Sequence, residues 1–379
     1  MLNIGVDARW LFSVHPSPHV ALIEALLLEN RKKPLDVKFF LYTNTQETAR
    51  NDLLAENVII KNLSGVSSVF PDFFWFNIRI RNSIKRDGVE LFFSPYYKIP
   101  IFASIPCVNM IHDASFCVLP PEFLPIKLQS APRRIFLRCS MNLYSRLASK
   151  TLTVSAYSRE CLITHVGLAR NAIAVCYNPV DVALYETIDP AAVEKMREKY
   201  HLPRKYYLYV GSSLEKKNLK RLVRAYNDAV SATGNDSTLV LKTDSSHFDG
   251  EMKHLVGQSN GVQIISDKIS YSDVAHMICG SSGLFLVSFD EGFGIPAIEA
   301  MAAGVPVVLS DVAALREVGG PVAIYVDPFS VRSIADSFRK LFGLSSSERE
   351  LYSKNGKARA KIFSSSRVSH IFFTALRDR

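Results

Sequence analysis

Short apolar runs alternate with longer amphipathic stretches along the chain. The apolar runs include residues 2–6, 38–42, 90–93, 106–111 and 206–210. Runs this short and this uniformly apolar indicate strands that are buried on both faces, as in a parallel sheet. Amphipathic stretches such as 20–29 indicate helices between them. The pattern therefore predicts an α/β protein that is built from repeated strand–helix units.

One part of the chain combines a strand, a glycine loop and a helix. Leu284–Phe289 is predicted as the strand, and Gly292 and Gly294 allow the backbone to approach a ligand closely. Pro296 suits the first helical position, where its missing N–H costs nothing, and Gly304 is placed to end the helix. The loop and the helix N-terminus would then lie at the carboxyl end of a parallel strand, where open α/β sheets bind ligands.

Two carboxylates flank this loop. Glu291 lies just beyond the predicted strand, and Glu299 is expected in the first helical turn, where the helix dipole stabilises an anion. Carboxylates accept hydrogen bonds from sugar hydroxyls, while loop and helix N–H groups bind phosphate. The pair predicts a site for a polyhydroxylated ligand that carries phosphate. The alternative is a solvated loop with Glu299 on an exposed helix face.

A second glycine loop follows the strand at 206–210. Its polar and glycine residues are Gly211, Ser212, Lys216, Lys217 and Asn218. A helix is predicted to follow, from Leu219 to about residue 232. Glycine, hydroxyls and two lysines before a helix suit a diphosphate, by charge and by the helix dipole. A pair of solvated lysines is the alternative.

Glu291 and Glu299, with the Gly-Phe-Gly between them and the Gly-Val-Pro that follows at Gly304, resemble the E-x7-E signature of retaining glycosyltransferase family 4. The resemblance implies the GT-B fold, in which two Rossmann-like domains face each other across a cleft. It also implies a carboxyl-terminal helix that crosses back to the first domain. The expected domains are an acceptor-side domain, a nucleotide-sugar-binding domain and the returning helix, at residues 1–182, 183–360 and 361–379.

The resemblance also implies roles for single residues. Glu299 is expected on the donor ribose, Lys217 on the diphosphate, and Glu291 with the loop backbone on the transferred sugar. His112, which follows the strand at 106–111 as Ile-His-Asp, is similar to the family's histidine that faces the donor sugar. The expected catalytic residues are Glu291, His112 and Lys217. The expected donor-binding residues are Gly211, Ser212, Lys216, Lys217, Asn218, Glu291, Gly292, Phe293, Gly294, Ile295 and Glu299.

The amino-terminal loop departs from the family's pattern. Members of the family carry a glycine-rich loop after the first strand, whereas residues 10–19 contain no glycine. We therefore transfer no phosphate contact to this loop. Pro179 also stands where the family's Asn-Gly-Val-Asp segment has glycine, so the backbone there is stiffer.

The net charge is +9, from 45 Lys and Arg against 36 Asp and Glu, which suits an anionic partner. Aromatic residues at 69–76 and a basic helix predicted at about 126–148 add a candidate membrane surface. The alternatives are aromatics that pack in the core and a solvated basic helix face. The residues expected at the membrane include Trp75, Arg79, Arg133 and Arg134.

Six scattered cysteines form no C-x-x-C pair and no zinc-binding pattern, which favours reduced thiols in the cytosol. The amino terminus lacks the basic and apolar segments of a secretory signal, and no apolar run is long enough to span a bilayer. No Asp-x-Asp occurs in the sequence, which argues against a metal-bridged diphosphate. We therefore expect no metal and no cofactor.

These features together predict a retaining, metal-independent hexosyltransferase of the cytoplasm, with peripheral contact to the inner face of the membrane. It would move a sugar from a nucleotide-sugar to a saccharide or lipid-linked acceptor, in surface polysaccharide, lipopolysaccharide or glycolipid synthesis. Likeness to bacterial mannosyltransferases favours GDP-mannose as the donor. One alternative is a sugar-nucleotide epimerase of the same architecture. A non-catalytic nucleic-acid-binding protein is the other, but the basic residues are dispersed and no RNA-binding signature occurs.

Overall fold

The computed structural model describes residues 1–11, 18–33, 36–45, 53, 55–63, 71–266 and 269–377. The chain divides into two compact units. The first unit contains Met1–Val118, Ala131–Pro179 and the chain from Ser365 on, and the second contains Leu119–Ser130 and Val180–Ser364. Parts of the glycine-free loop at 10–19 and of the aromatic segment at 69–76 lie outside the described residues.

The described strands of the first unit form one parallel sheet. They are β1 (Leu2–Asp7), β2 (Val37–Thr43), β3 (Val58–Asn62), β4 (Leu91–Ser94), β5 (Cys107–Ile111), β6 (Lys150–Thr153) and β7 (Ile173–Val175). Their order is β3-β2-β1-β4-β5-β6-β7, so the direction of winding reverses between β1 and β4. Every residue of β4 and β5 is buried, which explains why their sequences are mostly apolar, with Ser94 and Asn109 as the exceptions, rather than alternating.

Helices connect these strands. The α-helices of the first half of the described chain are α1 (Pro18–Lys32), α2 (Pro71–Phe74), α3 (Arg81–Arg86), α4 (Ser115–Val118), α5 (Ile126–Gln129), α6 (Ala131–Leu147) and α7 (Ala156–Cys161). A π-helical segment, Trp75–Ile80, joins α2 to α3. Ser155 caps α7, because its side chain accepts a hydrogen bond from the Ser158 N–H.

The second unit has a parallel sheet of the same design. Its described strands are β8 (Tyr206–Val210), β9 (Thr238–Lys242), β10 (Val262–Ile265), β11 (Leu284–Leu286), β12 (Val307–Ser310) and β13 (Ile324–Val326). They are ordered β10-β9-β8-β11-β12-β13, so the winding reverses between β8 and β11, where Leu284 pairs with Leu208. Such a reversal is the point at which open α/β sheets bind their ligands.

Helices cover this second sheet, and the last helix of the described chain belongs to the first unit. The remaining α-helices are α8 (Val182–Glu186), α9 (Pro190–Lys199), α10 (Leu219–Thr233), α11 (Gly250–Gly257), α12 (Tyr271–Gly280), α13 (Ile295–Ala303), α14 (Ala313–Gly319), α15 (Val331–Phe342), α16 (Ser346–Ala360) and α17 (Ser365–Arg377). Aromatic stacking joins sheet to helix: the rings of Phe285 on β11 and Phe338 on α15 lie 3.9 Å apart. Both rings are fully buried, so they add to the apolar core.

The single helix expected at about 126–148 is wrong: the structure has two helices, which Ser130 separates in an extended conformation. Pro132 explains the break, since in a continuous helix its ring would clash with the carbonyl four residues earlier. The break also divides the units. Leu119–Ser130 belongs to the second unit, where the ring of Phe123 lies 4.5 Å from that of Phe289, so this unit takes a segment from the expected first domain.

The carboxyl-terminal helix α17 belongs to the first unit, as the expected fold requires. It packs against α1, and the ring of Phe372 meets that of Phe93 on β4 at 5.0 Å. Val368 and Phe372 are buried on this face. The chain therefore finishes in the unit in which it begins.

Trp75 and Phe76 of the aromatic segment pack into the core of the first unit, so the expectation that Trp75 contacts a membrane is wrong and the core alternative is correct for these two residues, whereas Phe73 is half-exposed. Trp75 is fully buried, and its indole N–H donates to Asp7 Oδ1 at 3.2 Å. Asp7 is buried at the end of β1, and a buried carboxylate needs hydrogen-bond donors such as this one. Arg9 supplies two more, at 3.0 Å to each oxygen. In the described ranges, no helix is both long enough and apolar enough to cross a bilayer.

Trp75→Phe should destabilise the first unit. The substitution keeps an aromatic ring but removes one donor to the buried Asp7 carboxylate, which should lower the free energy of unfolding by about 1.5–3 kcal/mol. Urea unfolding followed by circular dichroism measures this change. Phe76→Leu is the matched control, since Phe76 is equally buried but donates no hydrogen bond. If Trp75→Phe costs no more than Phe76→Leu, the bond to Asp7 has no net effect.

Candidate active site

The loops after β8 and β11 leave the second sheet at the same edge. The two strands are parallel neighbours, so their carboxyl ends lie side by side. The first loop carries Lys217 and the second carries Glu291. In the structure, Lys217 Nζ lies 2.5 Å from Glu291 Oε1, although the residues are 74 positions apart in the chain. The fold thus joins two motifs that the sequence analysis assigned separately.

Little of the Lys217–Glu291 ion pair is open to solvent. The side chains of Lys217 and Glu291 are 16% and 8% exposed, respectively. Ser288 Oγ donates a further hydrogen bond to Glu291 Oε1, at 2.7 Å. Charges with this little access to water need a partner of opposite sign, and here each residue provides one for the other. An anionic ligand that approaches Lys217 therefore meets a cation that already has a counterion.

Asn218 fixes the end of the first loop. Its φ is 61°, a left-handed conformation that Asn tolerates better than most residues, and it separates a 3-10 turn, Glu215–Lys217, from α10. Its buried amide donates to the carbonyls of Val287, at 2.9 Å, and Pro328, at 2.7 Å. Both N–H bonds of the amide are used. Asn218, expected to bind the donor, therefore contributes by tying three loops together.

The start of the first loop turns tightly over Tyr209. A Cβ on Gly211 would lie 2.5 Å from the Tyr209 hydroxyl, which donates to the carbonyl of Ser212 at 2.7 Å. Only glycine fits at that distance. Lys216 is buried, and its carbonyl accepts the N–H of Phe289 at 2.8 Å, which links the two loops through their backbones. Gly211 and Lys216 thus help to determine where Lys217 lies.

Helix α13 begins at Ile295, one residue before the predicted start at Pro296. Gly294 caps it with a φ of 106°, which glycine adopts without strain. A Cβ at this position would also lie 2.7 Å from Leu315 Cδ2. Conformation and space both require glycine here, as the loop motif predicts.

Two residues of the expected donor-binding set are buried in the protein interior. Phe293 is buried, with its ring edge-on to that of Phe363 at 5.5 Å. Gly292 beside it is buried as well. Any contact of these residues with a ligand is therefore expected through their backbone groups, and this role of the loop stays a prediction. Ile295 lies half-buried at the start of α13.

Glu299 is the fifth residue of α13 and lies outside its first turn, so the helix-dipole argument for it is wrong. Burial is the dominant effect on this group and raises its pKa to about 7. The Tyr271 hydroxyl donates to Glu299 Oε1 at 2.7 Å, and this bond and the neighbouring Tyr185 act in the opposite direction. A ligand that donates hydrogen bonds to this carboxylate would favour its ionised form.

His112 follows β5 in the first unit. Its Nε2 donates to the carbonyl of Pro95 at 3.0 Å, and its ring meets that of His19 edge-on at 4.6 Å. Burial, and then the neighbouring His19, lowers the pKa of His112 to about 3, so the ring is neutral at physiological pH. In the described part of the chain its buried Nδ1 has no hydrogen-bond partner. His112 is therefore suited to accept a hydroxyl rather than to exchange protons.

The hydroxyl side chains that contact the two glutamates were not predicted from the sequence. Ser288 lies three positions before Glu291, inside the recognised stretch, so its spacing was a usable signal. Tyr271 is 28 positions from Glu299, and Tyr185 is farther still. No local pattern links either tyrosine to Glu299. Only the packing of α8 and α12 against α13 brings them together.

No group of three His, Cys, Asp or Glu side chains in the described ranges is arranged to hold a metal ion. Lys217 and the N-terminus of α13 supply positive charge where a diphosphate is expected. Metal independence itself stays a prediction.

Successive parts of the chain match two descriptions of one kind of enzyme. Residues 27–184 match Glycosyltransferase Family 4, and residues 193–359 match Glycosyl transferases group 1. Both descriptions are of glycosyltransferases, and together they span most of the chain, which is therefore a glycosyltransferase. The second match includes Lys217, Glu291 and Glu299, the charged residues of the site described above.

This glycosyltransferase is 30% identical to O-antigen chain mannosyltransferase B of Escherichia coli over 260 residues. The match spans 68% of this chain and 66% of that protein, just under two thirds of its length. It is 25% identical to O-antigen chain mannosyltransferase RfbU of Salmonella typhimurium over 295 residues, or 75% of this chain and 74% of that protein. Both relatives are transferases, so the epimerase and nucleic-acid-binding alternatives are not favoured.

The fold of this glycosyltransferase matches a solved structure along its whole length. HepE of Anabaena, in complex with UDP-glucose, has a TM-score of 0.75 at 16% identity, with 100% of both chains covered. At this identity the likeness shows the fold alone. The expected GT-B fold with two Rossmann-like domains is confirmed.

Glu299→Gln should make the unligated protein more stable at alkaline pH. The folded protein holds the Glu299 proton up to about pH 7, whereas the unfolded chain releases it near the ordinary value of 4.5. Stability that is present below pH 4.5 is therefore lost as the pH rises through 7, by up to about 1.4 kcal/mol per pH unit. Glutamine carries no such proton and escapes this loss.

Thermal unfolding from pH 4 to pH 8.5 measures the difference. Glu299→Gln should match the wild type at pH 4 and exceed it at pH 8, while Glu350→Gln, at an exposed position of α16, should follow the wild type throughout. Equal stability of Glu299→Gln and wild type at pH 8 would contradict the assignment.

Proposed function

We propose that this glycosyltransferase moves a mannosyl group from a nucleotide-sugar to a saccharide or lipid-linked acceptor in surface polysaccharide synthesis. The observation that carries the proposal is the Lys217–Glu291 ion pair at the switch point of the second sheet. The two mannosyltransferase relatives support the choice of sugar, and their O-antigen acceptors support the kind of product. GDP-mannose is the donor to test first, on the resemblance alone.

The donor diphosphate replaces Glu291 as the counterion of Lys217. A diphosphate carries more negative charge than a carboxylate and accepts several hydrogen bonds, so it competes well for this lysine. When the bond between sugar and phosphate breaks, negative charge grows on the departing diphosphate, and Lys217 stabilises it. The N–H groups at the start of α13 contribute in the same way. These groups need no metal, so we propose metal-independent transfer.

Once it is displaced from Lys217, Glu291 can stabilise positive charge on the sugar. Positive charge develops at the anomeric carbon as the donor bond breaks, and a carboxylate beside it is stabilising. Glu299 accepts hydrogen bonds from the ribose diol. His112, in the first unit, offers a neutral acceptor to a sugar hydroxyl. No group is assigned as a nucleophile, so we propose retention of configuration without a covalent intermediate.

Binding and kinetic measurements separate these roles. Glu299→Gln should weaken binding of free nucleoside diphosphate and raise the donor KM, since the ribose is bound equally before and during transfer. Glu291→Gln should keep or improve nucleoside diphosphate affinity, because it removes a competing anion, and should lower kcat. Each lost charge-assisted hydrogen bond corresponds to about 1.5–3 kcal/mol, or about 10- to 150-fold. Calorimetric titration of GDP and UDP, beside steady-state kinetics, measures both effects.

Lys217→Met should lose both nucleotide affinity and turnover, whereas Lys220→Met on α10 is the matched control. The ion-pair partners of Lys220 are Glu215, Asp249 and Glu251. Turnover should survive excess chelator, and a loss that manganese or magnesium restores would disprove metal independence. If Glu291→Gln loses nucleotide affinity and Glu299→Gln does not, the two roles are reversed.

We also propose that α6 contacts an anionic membrane on its cytoplasmic side. Large apolar side chains are exposed along this helix, at Ile135, Phe136, Leu143 and Leu147. Exposed arginines lie between them, at Arg133, Arg138 and Arg146. Apolar side chains can enter the headgroup region while the arginines meet lipid phosphates, which is how interfacial helices bind. In this proposal α6 replaces Trp75 as the main contact with the membrane. The proposed cytoplasmic location agrees with the six free cysteines, because disulfides are rare in that compartment.

Vesicles that contain anionic lipid should bind the protein at low salt and release it at high salt, because salt screens the arginines. Phe136→Ser should weaken binding. The control is Leu351→Ser, which replaces an exposed leucine of α16 in the second unit and should bind as the wild type does. Sedimentation with the vesicles measures both. If the protein ignores anionic vesicles at low salt, the membrane proposal fails.

A further inference from the structure

Tyrosines from two helices lie against the carboxyl group of Glu299. Tyr271, the first residue of α12, donates its hydroxyl to Glu299 Oε1 at 2.7 Å. Tyr185 of α8 lies near both, and burial, followed by the charge of Glu299, raises its pKa. Glu299 and Tyr185 are each 5% exposed, whereas Tyr271 is 41% exposed. Of the three side chains, Tyr271 is therefore the one that solvent reaches most readily.

The two tyrosines are not equivalent. The Tyr185 hydroxyl is buried and makes no hydrogen bond of normal distance and angle in the described structure. Tyr271 makes a short, well-formed bond to the carboxylate. Of the two, Tyr271 is therefore the residue that can fix the direction of the carboxylate and one of its oxygens.

Other titratable groups near this site act less directly. Cys279 of α12 affects Tyr185, and Lys357 of α16 affects Cys279. The effects on Glu299 itself come from burial, which disfavours its anion, and from Tyr271 and Tyr185, which favour it. Removal of the Tyr271 hydroxyl therefore removes a stabilising contact from an anion that burial already disfavours.

We propose that Tyr271 is a positioning residue for nucleotide recognition, which holds the Glu299 carboxylate in place and in its ionised form for the ribose diol. This inference rests on the proposed role of Glu299. A carboxylate can accept about four hydrogen bonds, so one bond from Tyr271 leaves room for two ribose hydroxyls. Tyr271 therefore does not compete with the ribose for Glu299. It orients the carboxylate that accepts the hydrogen bonds of the ribose.

Tyr271→Phe tests the proposal, because it removes the hydroxyl and keeps the ring. The affinity for GDP and UDP is measured by calorimetry from pH 5.5 to pH 9. The rise in affinity that accompanies ionisation of Glu299 should move to higher pH in the variant, by roughly one pH unit for one such bond, which corresponds to about fivefold weaker binding at pH 7 and about tenfold weaker binding at pH 5.5. The affinity should recover most of this loss at pH 9.

Two further variants complete the experiment. Glu299→Gln gives the part of the pH profile that comes from the ligand's own phosphates. Tyr200→Phe is the matched control, since Tyr200 donates a similar bond, at 2.8 Å, to Asp273 on the same helix α12. Its profile should coincide with that of the wild type.

The outcomes separate the inference from the proposed function. If Glu299→Gln binds nucleotide with wild-type affinity and pH dependence, the ribose role of Glu299 is wrong, and the inference falls with it. If Glu299→Gln binds weakly but Tyr271→Phe has the wild-type profile, only the role of Tyr271 is wrong. A loss in Tyr271→Phe that is equal at every pH would show a packing role and would also overturn the inference.

Discussion

Lys217 and Glu291 carry opposite charges at a place that water hardly reaches, and each needs the other as its counterion. The neighbouring residues of the candidate site keep these two charges together. Asn218 anchors the loop that carries the lysine, Ser288 supports the glutamate, and both loops start at the switch point of the second sheet. In the described structure the carboxylate balances the charge of the lysine, so the pair as a whole is neutral.

Glu299 satisfies the same constraint in a different way. No cation is bonded to it in the described structure, and tyrosine hydroxyls and a raised pKa take the place of a counterion. This group therefore reduces the stability of the empty protein at neutral pH, and a ribose diol can offset that reduction by donating hydrogen bonds. The free energy of nucleotide binding and the stability of the ligand-free protein would therefore both depend on the Glu299 carboxylate, as is common in binding sites.

Much of the fold was predictable because its signals are local. Apolar runs indicated the buried strands. Glycines indicated the loop before α13, where Gly294 has a positive φ. The contact between Lys217 and Glu291 was not predictable, since it depends on β8 and β11 being neighbours in a sheet. Trp75 was misplaced because aromatic and basic residues alternate in the same way on a core helix and on a membrane surface. It is buried in an apolar cluster and bonded to Asp7, which lies 68 positions away in the chain and was not visible as a partner in the sequence.

Hydrogen exchange with and without GDP-mannose tests most directly whether the donor binds at the switch point of the second sheet. We predict slower exchange in residues 211–219 and 287–299, because the amides of both loops and the start of α13 become ordered around the diphosphate. Exchange in β1, β2 and β3 of the first unit should not change. Unchanged exchange in both loops when the protein binds the nucleotide, with protection elsewhere, would contradict the assignment of the site.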